Sequence, residues 1–403
     1  MKKINKALVN KNSILLWQGT AVSGFGDIMY DVAIAKTIYD NTNSTLLVSL
    51  AVVLNLLPTI ILMPICGVII ENLSKKSVLI YTDLIRGILT IFLGLCFIVE
   101  FNYPLICIIS FSLGVCEAFF RPSIISLVPQ IIEEKLLAKA TSITTVISNI
   151  VHILANFFSG IILLIFNVPL IIIINGITFI LSAISECFIS IVENKSASDK
   201  AVYNLKQIKS DFAESKTFFV QNKIYSVLLI TYCTVVFLLS NYAILRIPFF
   251  ETYFNIELYG ISMAFMSAAG IVAPIFLGII NLQRDNYSIL IGSFVGMSIP
   301  MFFIDTQHSI IIIIITLCYG FCNSIFHTVF NVLLFTGISQ NIIARVTSIT
   351  TPLILLSSLA GQLTGGILGD IFNINKIIKG VFMLVLVISV ISIKRLNKLK
   401  LTF

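Results

Sequence analysis

Along this chain, stretches of apolar residues long enough to cross a bilayer follow one another with few interruptions. A membrane-crossing helix needs about 20 such residues. Short polar or proline-marked breaks at 41–45, 71–76, 102–104 and 167–169 separate them. This pattern predicts helices over 14–39, 46–70, 77–99, 104–128, 138–166 and 169–192, and a second set over 224–248, 258–281, 287–305, 309–335, 343–371 and 376–394. Continuous runs such as Ile171–Ile174 and Ile310–Ile315 lack the in/out alternation of a barrel strand, which excludes a transmembrane β-barrel. One connection is long, residues 193–223, and it carries six lysines. Within it Leu205, Ile208, Phe212 and Phe219 recur at helical spacing, which predicts an amphipathic helix on the inner membrane surface. The expected fold is all-α: twelve transmembrane helices in two six-helix bundles, 1–192 and 224–403, joined by a cytoplasmic linker.

Composition narrows the function classes. Of the 403 residues 58% are hydrophobic and 11% charged, and mean hydropathy is +1.03. Soluble domains carry roughly 25% charged residues, so a soluble protein is excluded. The eight cysteines lie in apolar segments, where a thiol behaves as a small hydrophobe, and none has zinc spacing. Neither metal nor cofactor is expected. The three histidines, His152, His308 and His327, are scattered, and no phosphate-binding loop of the G-x-x-x-x-G-K-[ST] type occurs. An enzyme is therefore not expected. The first apolar segment follows a basic start, but it is too long for a signal-peptide core and has no cleavage pattern.

Charge reads as topology. Apart from Lys36, Arg86, Arg121, Arg246, Lys376 and Lys379, the 26 basic residues fall in segments that twelve crossings place on one side. Cationic loops stay in the cytoplasm, so both termini are expected inside. The net charge of +7 needs no nucleic-acid partner.

The halves also repeat. Thr141–Thr145 (TSITT) recurs unchanged as Thr347–Thr351. At the same offset of 206, Gly114 meets Gly320, Cys116 meets Cys322, Phe120 meets Phe326 and Gly160 meets Gly366. At an offset of 210, Pro64 meets Pro274. Six-helix repeats of like orientation imply a pseudo-two-fold axis along the membrane normal, a site near mid-depth, and alternating access by rocking.

With these features the chain resembles the major facilitator superfamily. Gly67, Glu71, Lys75 and Lys76 stand where the family's inner-loop gating motif, G-x-x-x-D-R/K-x-G-R/K-R/K, has glycine, acid and two final cations. Asn72 and Ser74 depart from it. Trp17, Gln18 and Gly19, then Tyr39 to Thr42, Asp83 with Arg86, and Pro122 with Pro129 are similar to the macrolide-efflux and enterobactin-exporter branch. Asn156 stands where antiporters of the family often carry proline in the fifth helix. The resemblance implies that the first, fourth, seventh and tenth helices line a central cavity.

Ionisable groups at membrane depth cost a few kcal/mol on insertion scales, so each calls for a reason. Asp27 and Asp31 share a face of the first helix. Glu117 and Arg121, four apart in the fourth, have Asn323 and His327 as repeat counterparts in the tenth. These six are the candidates for proton coupling or substrate contact. Asp83 and Arg86 read as a structural ion pair. A polar stripe of Thr145, Asn149, His152 and Asn156, answered by Thr351, Ser358 and Gln362, reads as interhelical hydrogen bonding.

The expected function is secondary export of an amphipathic small molecule (drug- or macrolide-like, a peptide or a siderophore), exchanged for protons by a monomer in the cell membrane. The alternatives are an importer on the same fold, or a non-transporting sensor or immunity protein.

Overall fold

The computed structural model describes residues 10–71, 73–190, 219, 221–279, 282–335 and 340–400. Among them twelve long helices appear: α1 (Lys11–Thr42), α2 (Thr45–Glu71), α3 (Lys75–Val99), α4 (Tyr103–Ile131), α5 (Leu137–Ile165), α6 (Val168–Cys187), α7 (Lys223–Tyr253), α8 (Ile256–Ile279), α9 (Leu282–Ser298), α10 (Ser309–Phe335), α11 (Gln340–Ile371) and α12 (Ile374–Lys400). Ten of these are long and apolar enough to cross a membrane. The other two are α1, which carries Lys11, Asp27, Asp31, Lys36 and Asp40, and α9, which is 17 residues long and passes into a 3-10 turn at Pro300–Phe303. Most of the expected linker, with its amphipathic helix, lies outside the described residues.

The polar breaks become helix caps. Asn102 and Asn167 accept the Leu105 and Leu170 backbone N–H groups at 3.0 and 3.2 Å. Each is followed by a proline in the first turn, where the ring lacks only an N–H the helix does not need. Asn10 and Ser13 form a reciprocal capping box at the start of α1. At its end Asn43 takes the left-handed conformation (φ 49°), which asparagine tolerates better than most residues.

Two compact units divide the chain: residues 1–43 with 50–200, and residues 44–49 with 201–403. In the first, α1 packs on α5 and α6, and α3 packs on α4 and α6. The second repeats the pattern, with α7 on α11 and α12, and α9 on α10 and α12. Residue contacts repeat as well. Gly114 of α4 lies against the Asn55 backbone of α2, and its counterpart Gly320 of α10 lies against the Met266 backbone of α8. The hydrogen bonds at these two crossings run in opposite senses: Thr59 of α2 donates to the Gly114 carbonyl of α4 at 3.0 Å, whereas Ser324 of α10 donates to the Gly270 carbonyl of α8 at 2.7 Å.

Amphipathicity in these helices is inverted. On α3, Asp83, Arg86, Gly87, Thr90 and Gly94 are buried, whereas Ile85, Ile88, Phe92 and Ile98 are exposed. Such a helix suits a surrounding of lipid, where polar groups must find partners inside the protein. Glycines on this face bring α3 close to α6: a Cβ at Gly87 would sit 2.9 Å from the Gly176 carbonyl oxygen.

Within the second unit, the Asp370 carboxylate at the end of α11 accepts from the start of α2. Its partners are Ser44 Oγ (2.6 Å), Thr45 N (2.5 Å), Thr45 Oγ1 (2.8 Å) and Leu46 N (3.3 Å). A carboxylate there satisfies the free N–H groups of the first turn and opposes the helix dipole.

Candidate functional site

In the first unit the charged residues gather around Arg86. This side chain is buried, with its guanidinium 4.5 Å from the Phe120 ring centre and 5.5 Å from that of Phe179. Its Nη2 donates to Glu117 Oε2 of α4, and its Nη1 lies 3.7 Å from Asp83 Oδ1. Glu117 also accepts from Arg121 Nε, and the Arg121 side chain is 63% exposed. Asp83 with Arg86 and Glu117 with Arg121 each form a pair within one helix, and one interhelical bond, Arg86–Glu117, joins the two into a chain. That bond ties α4 to α3. Asp83 is fully buried and neither oxygen has a hydrogen-bond partner among the described residues, so the 3.7 Å approach of Arg86 is its main compensation there.

Asp27 stands on α1, half-buried, close enough to feel the charges of Arg86, Asp31 and Glu117. Asp31, one turn further on, is exposed. Neither makes an ion pair among the described residues, because Arg86 is taken up by Glu117 and Asp83. Glu186 of α6, within electrostatic reach of Asp83 and Arg86, is 2% exposed, and its Oε2 has no partner among the described residues. It is thus a buried acid near the end of α6.

At the repeat positions of Glu117 and Arg121 the second unit has an amide, Asn323, and an imidazole, His327. His327 Nδ1 shares a hydrogen bond with the Tyr232 hydroxyl at 2.7 Å. Its ring packs edge-on against Tyr232 and Phe326. Asn323, one turn away, is half-buried, and its Oδ1 has no partner among the described residues. Tyr232 and Phe326, the two rings against His327, continue into an aromatic group with Phe294 and Phe330. Tyr232 is the residue that sequence reasoning missed; it lies 95 positions from its partner, and no spacing rule reaches that far.

Part of the inner-loop motif is visible. Lys76 Nζ donates to the Cys187 carbonyl at the end of α6 (2.7 Å), where a cation is favoured. Gly67 and Glu71 belong to α2, with the Glu71 side chain outside the described residues, and Lys75 enters α3 at its first turn. On the polar stripe, Thr145 and Asn156 donate to carbonyls of their own helix, where bonds to other helices had been expected. The counterpart on α11 does reach across: Ser358 shares a 2.9 Å hydrogen bond with Ser240 of α7.

The sequence profile of the Major Facilitator Superfamily matches residues 16–361. The bacilysin exporter BacE of Bacillus subtilis (strain 168) is 30% identical over 218 residues, 50% of this chain and 51% of the relative. The chain thus matches about half the length of that protein. Macrolide efflux protein A of Streptococcus pyogenes is 21% identical over 397 residues, 96% of each. Among solved structures, the nucleoside transporter NupG superposes with a TM-score of 0.69 at 10% identity, over 96% of this chain and 98% of that one. A bacterial homolog of the human lysosomal transporter Spinster, inward-facing and occupied, gives a TM-score of 0.65 at 14% identity and 97% coverage of each chain. At such identities the last two show the fold alone.

Proposed function

The chain belongs to the major facilitator superfamily, and on that premise we propose that it exports an amphipathic small molecule by alternating access, in exchange for protons. Two six-helix halves, 1–192 and 224–403, do the work as a monomer in the cell membrane, joined by a cytoplasmic linker, with both termini inside. The exporter names of the relatives favour this direction.

One observation carries the coupling. Arg86 is engaged by Glu117 and Asp83, so Asp27 and Asp31 have no ion-pair partner among the described residues. An unpaired carboxylate can gain and lose a proton. A charge made or lost at membrane depth is worth a few kcal/mol on insertion scales, enough to bias a carrier poised between two states. Arg86, Glu117 and Asp83 set the electrostatic background, and Arg121 supplies the exposed end of the network.

The test is a susceptibility and accumulation panel in an efflux-deficient host, with and without a proton uncoupler. Macrolides, short peptides and siderophores are the probes. Expression is expected to lower the accumulation of at least one class, the uncoupler to restore it, and Asp27→Asn to abolish the effect while the protein stays in the membrane. Raised accumulation would mean import. No flux of any probe, or normal uncoupler-sensitive efflux by Asp27→Asn, would overturn export or the role of Asp27 respectively.

A further inference from the structure

Arg246, on α7 roughly two turns before its end, makes no ion pair among the described residues. Its Nε donates to the Ala243 carbonyl of its own helix at 3.2 Å. Its Nη1 faces two thioethers of α8, Met263 Sδ at 3.3 Å and Met266 Sδ at 3.7 Å. The guanidinium carbon stands 5.8 Å from the Tyr242 ring centre, and Tyr319 of α10 stacks edge-on against that ring at 5.0 Å. No atom in this shell is anionic, and thioether sulfur is a weak acceptor.

Arginines near helix ends often snorkel to the membrane surface. Arg246 does not. The bond to Ala243 turns it back along the helix toward its start, and Met263 and Tyr242 are each 1% exposed. The head group is held half-buried inside the second unit, with Nη2 donors that no described residue accepts.

From this we infer that Arg246 binds a carboxylate on the transported molecule. This assignment deepens the transport reading and rests on it. A guanidinium offers a planar fork that matches a carboxylate in bidentate fashion. A single cation balances a monoanion, whereas a phosphate dianion would keep unmatched charge among apolar side chains. Tyrosine rings and polarizable thioethers beside it suit the apolar body of an amphipathic ligand. The substrate class is therefore an apolar-bodied molecule bearing one carboxylate.

The experiment measures binding to the full-length protein in lipid nanodiscs by fluorescence anisotropy. The probes are N-dansyl-alanyl-alanine and its C-terminal amide, which differ only in the anionic group. The wild type is expected to bind the acid about tenfold or more tightly than the amide. Arg246→Gln should bring the acid down to the level of the amide and leave amide binding unchanged, which also shows that the variant is folded. Arg246→Lys should keep part of the preference, since it retains the charge but not the fork. Equal binding of both probes by the wild type, binding of neither, or a preference that survives Arg246→Gln would overturn the assignment. No gradient is present, so the outcome is independent of direction and proton coupling: acid-selective binding without cellular efflux would sink export and leave Arg246 standing, and efflux without selectivity would do the reverse.

Discussion

Glu117 serves two guanidinium groups of different standing, and this difference makes a prediction at single residues. Arg86 is buried and depends on Glu117 for its closest counter-charge, whereas the side chain of Arg121 is 63% exposed. Removing one partner of a buried pair costs about 3–5 kcal/mol; an exposed pair is worth about 0–1 kcal/mol. Glu117→Gln is therefore expected to lower the thermal unfolding temperature of the purified protein sharply, and Arg121→Ala hardly at all. Exchanging the two, Glu117→Arg with Arg121→Glu, sets a second cation against Arg86, so the double variant should be no better than Glu117→Gln. Recovery of wild-type stability in the exchange would show that Arg86 does not rely on position 117. The sequence made both within-helix pairs legible, because spacings of three and four put residues on one helix face. It could not show the bond between them. Arg86 and Glu117 are 31 positions apart on different helices, and only packing brings them together. The Tyr232–His327 bond was hidden for the same reason.

Among whole elements, the helix starts were easier to read than the helix ends. Asparagine before proline marks the starts of α4 and α6 by a local hydrogen bond, so the sequence itself contains the signal. The end of α6 was expected at 192 and lies at Cys187, where Lys76 arrives from another helix to take the carbonyl; no local residue announces that. Close approach at glycine gives a paired test. A methyl group at Gly87 would lie 2.9 Å from the Gly176 carbonyl oxygen and 2.7 Å from Ile180 Cγ1, whereas nothing lies within 4 Å of a methyl group at Gly380. Gly87→Ala should force α3 and α6 apart and lower the unfolding temperature. Gly380→Ala, in the interior of α12, should leave it unchanged or raise it, since alanine is favoured over glycine in a helix by roughly 1 kcal/mol. Equal responses would mean that the α3–α6 contact yields freely.

At the scale of the whole molecule the repeat was legible because packing contacts impose it: glycine is required where α4 meets α2 and again where α10 meets α8, so the same residue returns at the same offset. The number of crossings was less plain, because α1 gives up apolarity to the residues that make it interesting. Asp27, Asp31 and Lys36 keep it out of the ten helices apolar enough to span, yet it packs with α5 and α6 as α7 packs with α11 and α12. If α1 and α9 both cross, the crossings number twelve and the cation-rich segments share one side. If either fails to cross, the segments after it change sides. Lys376 and Lys398, near the two ends of α12, discriminate between these arrangements. In a cysteine-free background, Lys376→Cys is expected to react with a membrane-impermeant maleimide on intact cells. Lys398→Cys should react only after the cells are opened. The reverse pattern would place the C-terminus outside; the cationic segments could not then all be cytoplasmic, and the positive-inside argument would fail, as would twelve crossings that start from a cytoplasmic N-terminus.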